Sequence, residues 1–151
     1  MIKAKKVVVK DYIQTVGRRK SAVARVRLYP VVKNVQIEKV EIAKGETAVN
    51  GVILKDYFGF KAYSPKYNKF LKAMGAEGKY IFTVKVAGGG ESGQLDAMIH
   101  GVARALDKHD TDMYHDLLKQ GGFLTRDSRV RERRKVGMGG KARRKRQSPK
   151  R

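Results

Sequence analysis

The sequence predicts an α/β body of short strands and amphipathic helices, followed by an extended basic C-terminal tail. Three observations lead there. Apolar and polar residues alternate from Ala22 to Tyr29 and from Tyr80 to Val86, the period of a half-buried strand. Apolar residues recur at helical spacing from Tyr67 to Met74 and from Leu95 to Leu106, the mark of helices with one buried face. After Leu124 the composition changes, and half of the residues from Arg126 to Arg151 are Lys or Arg.

Taken in order, Tyr12 to Val16 reads as a short strand and Gly17 to Lys20 as a basic turn. In the next strand Ala22, Ala24, Val26 and Leu28 share one face, while Val23, Arg25 and Arg27 share the other, so one side is core and the other mostly cationic. Between Pro30 and Gly45 the pairs Val35 with Ile37 and Val40 with Ile42 slip by one residue, as a bulge or two short strands would. Asn50-Gly51 between apolar flanks is a turn signal. Ser64 as N-cap, Pro65 at the first helical position and Gly75 as terminator frame a helix whose Tyr67, Phe70, Leu71 and Met74 form a core stripe. In the strand after it, Tyr80, Phe82, Val84 and Val86 align on one side. Leu95, Met98, Ile99, Val102 and Leu106 define the next helix, and a last one from Thr111 to Gln120 is stopped by Gly121-Gly122.

The charge balance points to a polyanionic partner. Among 151 residues, 35 Lys and Arg face 14 Asp and Glu, a formal net charge of +21. Self-repulsion on that scale opposes compaction unless a partner supplies countercharge. RNA, DNA and an anionic membrane surface are the candidate classes. No apolar run approaches the roughly 20 residues of a membrane span, and no secretory signal opens the chain, so a soluble protein is expected. Cysteine is absent, which excludes disulfides and thiolate metal sites. His100, His109 and His115 have no clustered partners, so neither a metal nor any other cofactor is expected. His100 reads as a boundary residue with a local hydrogen bond, and His109, Asp110 and His115 as a solvated polar turn and helix face. Asp96, Asp107, Asp112 and Asp116 are spread along two helices without the pairing of catalytic carboxylates, so no enzyme is expected.

The stretch AGGGESGQ joins a strand to a helix, where backbone N–H groups bind phosphate. A nucleotide-binding loop would close on Gly-Lys-Ser or Gly-Lys-Thr, but Gly93 is followed by Gln94. The better fit is a tight turn, or a close backbone approach to RNA at Gly88, Gly89, Gly90 and Gly93. The basic clusters carry more weight. Arg18, Arg19 and Lys20 crowd one turn, and Arg25 and Arg27 extend it as a positive stripe. In the tail, Arg129, Arg131, Arg133, Arg134 and Lys135 are followed by Lys141, Arg143 and Arg144, with only Asp127 and Glu132 opposing. Arg outnumbers Lys and Gly is interleaved, a mixture suited to threading through folded RNA rather than to coating a membrane. So few apolar side chains cannot offset the entropy of ordering, so the tail is expected to be disordered alone, with an extended reach on the order of 80 Å.

Four ordered blocks resemble a known family: GRRKSAVARVRL from Gly17, TAVNGVILKDYF from Thr47, VKVAGGGESGQLDAMIHGVARAL from Val84 and GFLTRDSRVRERRKVG from Gly122. They are similar to the successive signature blocks of the universal small-subunit ribosomal protein S nine family, bacterial type. The resemblance implies a two-layer α/β (α+β) sandwich, a small mixed sheet with helices packed on it, and a left-handed crossover of the ribosomal-protein type. It also implies a structural, non-enzymatic constituent in the head of the small ribosomal subunit, in the cytoplasm. Its partners would be ribosomal RNA, neighbouring proteins of the head and peptidyl-site transfer RNA, with no membrane. The basic residues named above would bind ribosomal RNA, and Lys150 and Arg151 would approach the transfer RNA anticodon stem-loop.

The chain departs from the family pattern at its end, where Ser148 replaces an aromatic residue and Pro149 is displaced. Residues 30–45 are also longer than the usual connection. The expected organisation is an N-terminal extension at 1–10, a globular body at 11–125 and the tail at 126–151. Two rivals stand beside it: a nucleic-acid chaperone working outside the ribosome, and an enzyme using the glycine loop for a nucleotide.

Overall fold

The structure is a computed structural model that describes residues 11–30, 34–37, 40–59, 63–135 and 149. The expected N-terminal extension and most of the expected tail, with Lys141, Arg143, Arg144, Lys150 and Arg151, lie outside the described residues. The strands and helices follow in chain order: β1 (Ile13–Arg19), β2 (Ala22–Tyr29), β3 (Asn34–Ile37), β4 (Val40–Ala43), β5 (Thr47–Val49), β6 (Val52–Ile53), α1 (Leu54–Tyr57), α2 (Tyr63–Ala73), β7 (Ile81–Ala87), α3 (Glu91–His109) and α4 (Thr111–Gln120).

Five strands form one sheet in the order β1-β2-β7-β5-β6, with β5 parallel to β7 and the other pairs antiparallel. The result is the mixed sheet with helices packed on it that the resemblance implies. β3 and β4 make a separate antiparallel hairpin, so the slipped alternation before Gly45 marks two short strands rather than a bulge. β1 runs to Arg19, beyond its expected end at Val16, and the turn is reduced to Lys20 and Ser21 with Lys20 at φ 51°. α2 begins at Tyr63, one residue ahead of the expected cap at Ser64, and the one-turn α1 has no counterpart in the sequence pattern.

The alternation in β2 decides which side of the sheet is core. Ala22, Ala24, Val26 and Leu28 are fully buried and pair across β7 with residues such as Val86, Val84 and Phe82. α3 lies over this face and buries Leu95, Met98, Ile99, Val102 and Leu106, as its spacing requires. α2 joins the same core through Tyr67, whose hydroxyl is 3.0 Å from the Thr47 hydroxyl. Burial pushes the Tyr67 phenol well above its ordinary range, so it stays neutral and serves as a hydrogen-bonding strut. Asp110, exposed in the expected polar turn, starts α4 as its N-cap by accepting from Met113 N at 3.1 Å.

β1 and α3 approach so closely at Gly17 and Gly101 that backbone meets backbone. A Cβ on Gly17 would overlap the Ala97 carbonyl oxygen and the Gly101 nitrogen, and one on Gly101 would lie 2.6 Å from Val26 Cγ2. Thr15 Oγ1 donates to Gly101 O at 2.7 Å across the same seam. Alanine at Gly17 should therefore destabilise the body by about 2–3 kcal/mol in urea unfolding, whereas alanine at Gly59, which would meet nothing within 4 Å, should stay within about 0.5 kcal/mol of the parent.

Asn50 and Gly51, at φ 50° and 82°, form the expected tight turn between β5 and β6. The Asn50 side chain also extends the sheet: Val86 N donates to its Oδ1 at 2.9 Å, and its Nδ2 donates to Val86 O at 3.1 Å. If pairing rather than turn propensity dominates, Asn50→Gly, which keeps the φ freedom, should still cost about 1–2 kcal/mol in urea unfolding.

Candidate nucleic-acid interface

Period two sorts the basic residues of the body onto two sides. On β1, Thr15 and Gly17 face α3, and so does Arg19; Gln14, Val16 and Arg18 face away. On β2, Arg25 and Arg27 also face away and are exposed. Cross-strand register places Val16, Arg25 and Lys85 in one row and Gln14, Arg27, Thr83 and Ala48 in the next. Arg18, Arg25 and Arg27 therefore share the sheet face opposite α3, as expected for a cationic stripe. Arg27 is held 4.8 Å from the centre of the Tyr12 ring. The rows line a cavity of about 210 Å³, bounded by Gln14, Arg25, Arg27, Ala48, Thr83 and Lys85, with no acidic residue among its described lining.

Arg19 behaves differently from its neighbours. Its side chain is only 16% exposed, with Nη2 3.0 Å from Asp127 Oδ2 and Nε 3.7 Å from Asp96 Oδ2. Nη1 also donates to the Arg129 carbonyl at 2.9 Å. Asp127 accepts from Arg129 N at 2.9 Å and from Arg129 Nη2 at 2.7 Å, and Lys66 Nζ donates to Asp96 at 2.6 Å. One guanidinium thus clasps the first residues of the basic segment onto the body. These bonds hold the Asp127 carboxyl well below the usual carboxylate range and raise Arg129. Because the folded-state pKa is depressed, the clasp is intact above the ordinary carboxylate range and opens only as pH falls below it.

The segment reaches this clasp along the outside of α3. Phe123 packs edge-on against Phe70, ring centres 4.8 Å apart. His100, expected to bond locally, instead accepts from Arg18 N at 3.3 Å through Nδ1, 82 residues away in sequence. Burial and the Arg104 charge lower its pKa, which keeps the ring neutral and able to accept. His115 pairs with Asp107 at 2.8 Å, and His109 packs 5.2 Å from the Tyr80 ring. Among the described residues no group of three or more His, Cys, Asp or Glu is placed to hold a metal.

The glycine loop divides in two. Gly88 and Gly89 sit at φ 73° and 66° with hypothetical Cβ atoms 2.6 Å from Ser21 O and 2.9 Å from Ala22 Cβ, so their freedom serves packing against the β1–β2 turn. Gly90 opens on space and Gly93 makes only ordinary contacts, each 3.8 Å from its hypothetical Cβ, with Ala22 Cβ and Arg19 O. Gln94, where a phosphate-binding loop would carry Lys, instead donates to Gly88 O at 3.1 Å and accepts from Tyr57 Oη at 3.1 Å, closing the loop on itself.

Sequence reasoning placed Arg18, Lys20, Arg25 and Arg27 on exposed surface, with Arg129, Arg131, Arg133, Arg134 and Lys135 exposed beyond them. It missed Asp96 and Asp127 as partners of Arg19, and Lys66 as a second cation on Asp96. The signal was present in the parity of β1: extending the strand through Arg19 puts that residue on the side of Thr15 and Gly17.

Comparison with known proteins matches residues 17–151 to the family described as Ribosomal protein S9/S16. The small ribosomal subunit protein uS9 of Renibacterium salmoninarum is 43% identical over 123 residues, covering 82% of this chain and 66% of that protein. The uS9 protein of Bifidobacterium animalis subsp. lactis is 45% identical over 122 residues, covering 81% of this chain and 68% of that protein. The chain thus spans about two thirds of the length of these two relatives. The uS9c protein of Mesostigma viride is 45% identical over 129 residues, covering 85% and 84%. A match from Gly17 to the last residue, supported by relatives of this similarity, shows that the chain belongs to the ribosomal protein S9/S16 family, in its bacterial type, and membership supports a structural role in binding ribosomal RNA rather than an enzymatic one.

Proposed function

We propose that this protein is a structural constituent of the small ribosomal subunit, seated in the subunit head of cytoplasmic ribosomes beside other proteins of the head. Its body grips ribosomal RNA, and its C-terminal tail reaches peptidyl-site transfer RNA. The observation that carries this is the family match over residues 17–151 of a chain with a net charge of +21. The body contacts come from Arg18, Lys20, Arg25 and Arg27, with close backbone approach at Gly90 and Gly93. Arg129, Arg131, Arg133, Arg134 and Lys135, then Lys141, Arg143 and Arg144, continue the contacts outward. Arg19 serves as a positioning residue that fixes where the tail leaves. The same reading divides the chain into extension 1–10, body 11–125 and tail 126–151, and gives the crossover from β5 through α2 to β7 a left hand.

Charge explains how such a tail works. Each phosphate neutralised by Lys or Arg releases counterions, so assembly is driven by salt-sensitive contacts that position the chain without reading sequence. Lys150 and Arg151 accordingly hold transfer RNA irrespective of its codon. Deleting both should leave sedimentation of the assembled subunit unchanged and weaken filter-retained peptidyl-site transfer RNA, with a shallower salt dependence by about 1.5 in slope. Full retention by the truncated subunit would sink the transfer RNA contact. The broader reading is tested on sucrose gradients: one copy should travel with each small subunit, whereas release to the top fractions would favour a free nucleic-acid chaperone.

The clasp yields a separate expectation. Asp127→Asn keeps the shape of the side chain and removes the charge that holds Arg19 and Arg129. Backbone amides of residues 126–130 should then exchange hydrogen several-fold faster in the purified chain, while exchange in β2 and α3 stays as in the parent.

A further inference from the structure

The outer face of the sheet carries more than a stripe of charge. Arg25 and Arg27 stand two residues apart on one strand, a separation of roughly 6.6–6.8 Å along β2, of the same order as neighbouring phosphates on an RNA strand. Arg27 lies against Tyr12, which pre-orients its planar fork, and Tyr12 in turn sits 5.8 Å from Tyr29. Between these cations and β5 the surface is hollow. The cavity of about 210 Å³ has room for about seven waters at about 30 Å³ each, the scale of one nucleobase and far too small for a double helix.

Its lining suits a base as well as a phosphate. Gln14 contributes an amide that both donates and accepts, Thr83 a hydroxyl that does the same, and Ala48 a small apolar floor. Gly51 on the far rim has no side chain to obstruct entry. A surface meant only to lie along a duplex backbone would need the cations alone. Here they ring a recess carrying neutral hydrogen-bonding groups, the arrangement by which unstacked bases of single-stranded RNA are held.

We propose that this face is a seat for single-stranded RNA, in which Arg25 and Arg27 take consecutive phosphates and one base turns into the cavity toward Gln14 and Thr83. The proposal rests on the RNA-binding reading above and narrows it to a place and a kind of RNA.

The test uses the full chain and a local readout, so that binding by the tail does not contribute. Arginine-specific modification followed by mass spectrometry is run with an unstructured RNA of about ten nucleotides, with a duplex of the same length, and with a nucleoside monophosphate. The single strand should protect Arg25 and Arg27 several-fold more than the duplex, and the monophosphate should protect neither. Gln14→Ala, an exposed substitution, should abolish that preference for the single strand while leaving the salt slope unchanged. Arg25→Gln and Arg27→Gln should each lower the slope by about 0.7. Equal protection by duplex and single strand, protection by the monophosphate alone, or an unaltered preference in Gln14→Ala would overturn the seat even with RNA bound. Failure of the whole chain to bind any RNA would instead remove the reading beneath it.

Discussion

The contact of β1 with α3 at Gly17 and Gly101 constrains everything else in the body, because it brings a strand and a helix together without side chains between them. At that distance α3 reaches around the outer edge of the sheet. Arg104 donates to Val16 O at 2.6 Å and His100 accepts from Arg18 N at 3.3 Å, so polar groups of an edge strand are satisfied from within the chain. A cation on that edge also discourages pairing with a second copy. The same proximity brings Arg19 beside Asp96, one helical turn before His100, and creates the platform on which Asp127 lands.

From this constraint follows the division of charge. The sheet face turned to α3 is occupied, and the cation that points there, Arg19, is matched by carboxylates. Cations of the opposite parity, Arg18, Arg25 and Arg27, are turned to the other side. Four of the acids are spent on the fold: Asp96 and Asp127 hold Arg19, Asp107 pairs with His115, and Asp110 caps α4. Acids used in this way do not dilute the positive field of the outer face. The strand period therefore separates residues that fasten the molecule from residues offered to a polyanion.

Much of this was legible because it is local. The core face of β2, the buried stripe of α3, the Asn50-Gly51 turn and the limits of α4 follow from periodicity and turn chemistry alone. What was hidden depends on contacts distant in sequence. Arg19 looks like Arg18 until β1 is known to continue past Gly17, and Gly17 looks like a turn residue until α3 is laid against it. His100 gave no sign of a partner 82 residues away. Asp127 opens a basic segment and reads as a minor interruption of charge, although it is the hinge pin of that segment. Asn50 was seen as half of a turn, while its amide also prolongs the pairing of β5 with β7.

The glycine loop shows why composition alone assigned it incompletely. Four glycines in one short stretch suggest a single purpose, yet positive φ and contact with Ser21 and Ala22 bind Gly88 and Gly89 to the task of packing. That packing has a functional consequence. It seats the β1–β2 turn against the start of α3, so that Lys20 and the open backbone at Gly90 come to the same end of the molecule. A tip that swung freely would have to be ordered on binding, at an entropic cost for each residue fixed. Held in place by two glycines, the turn presents Lys20 without that cost, beside the open backbone at Gly90.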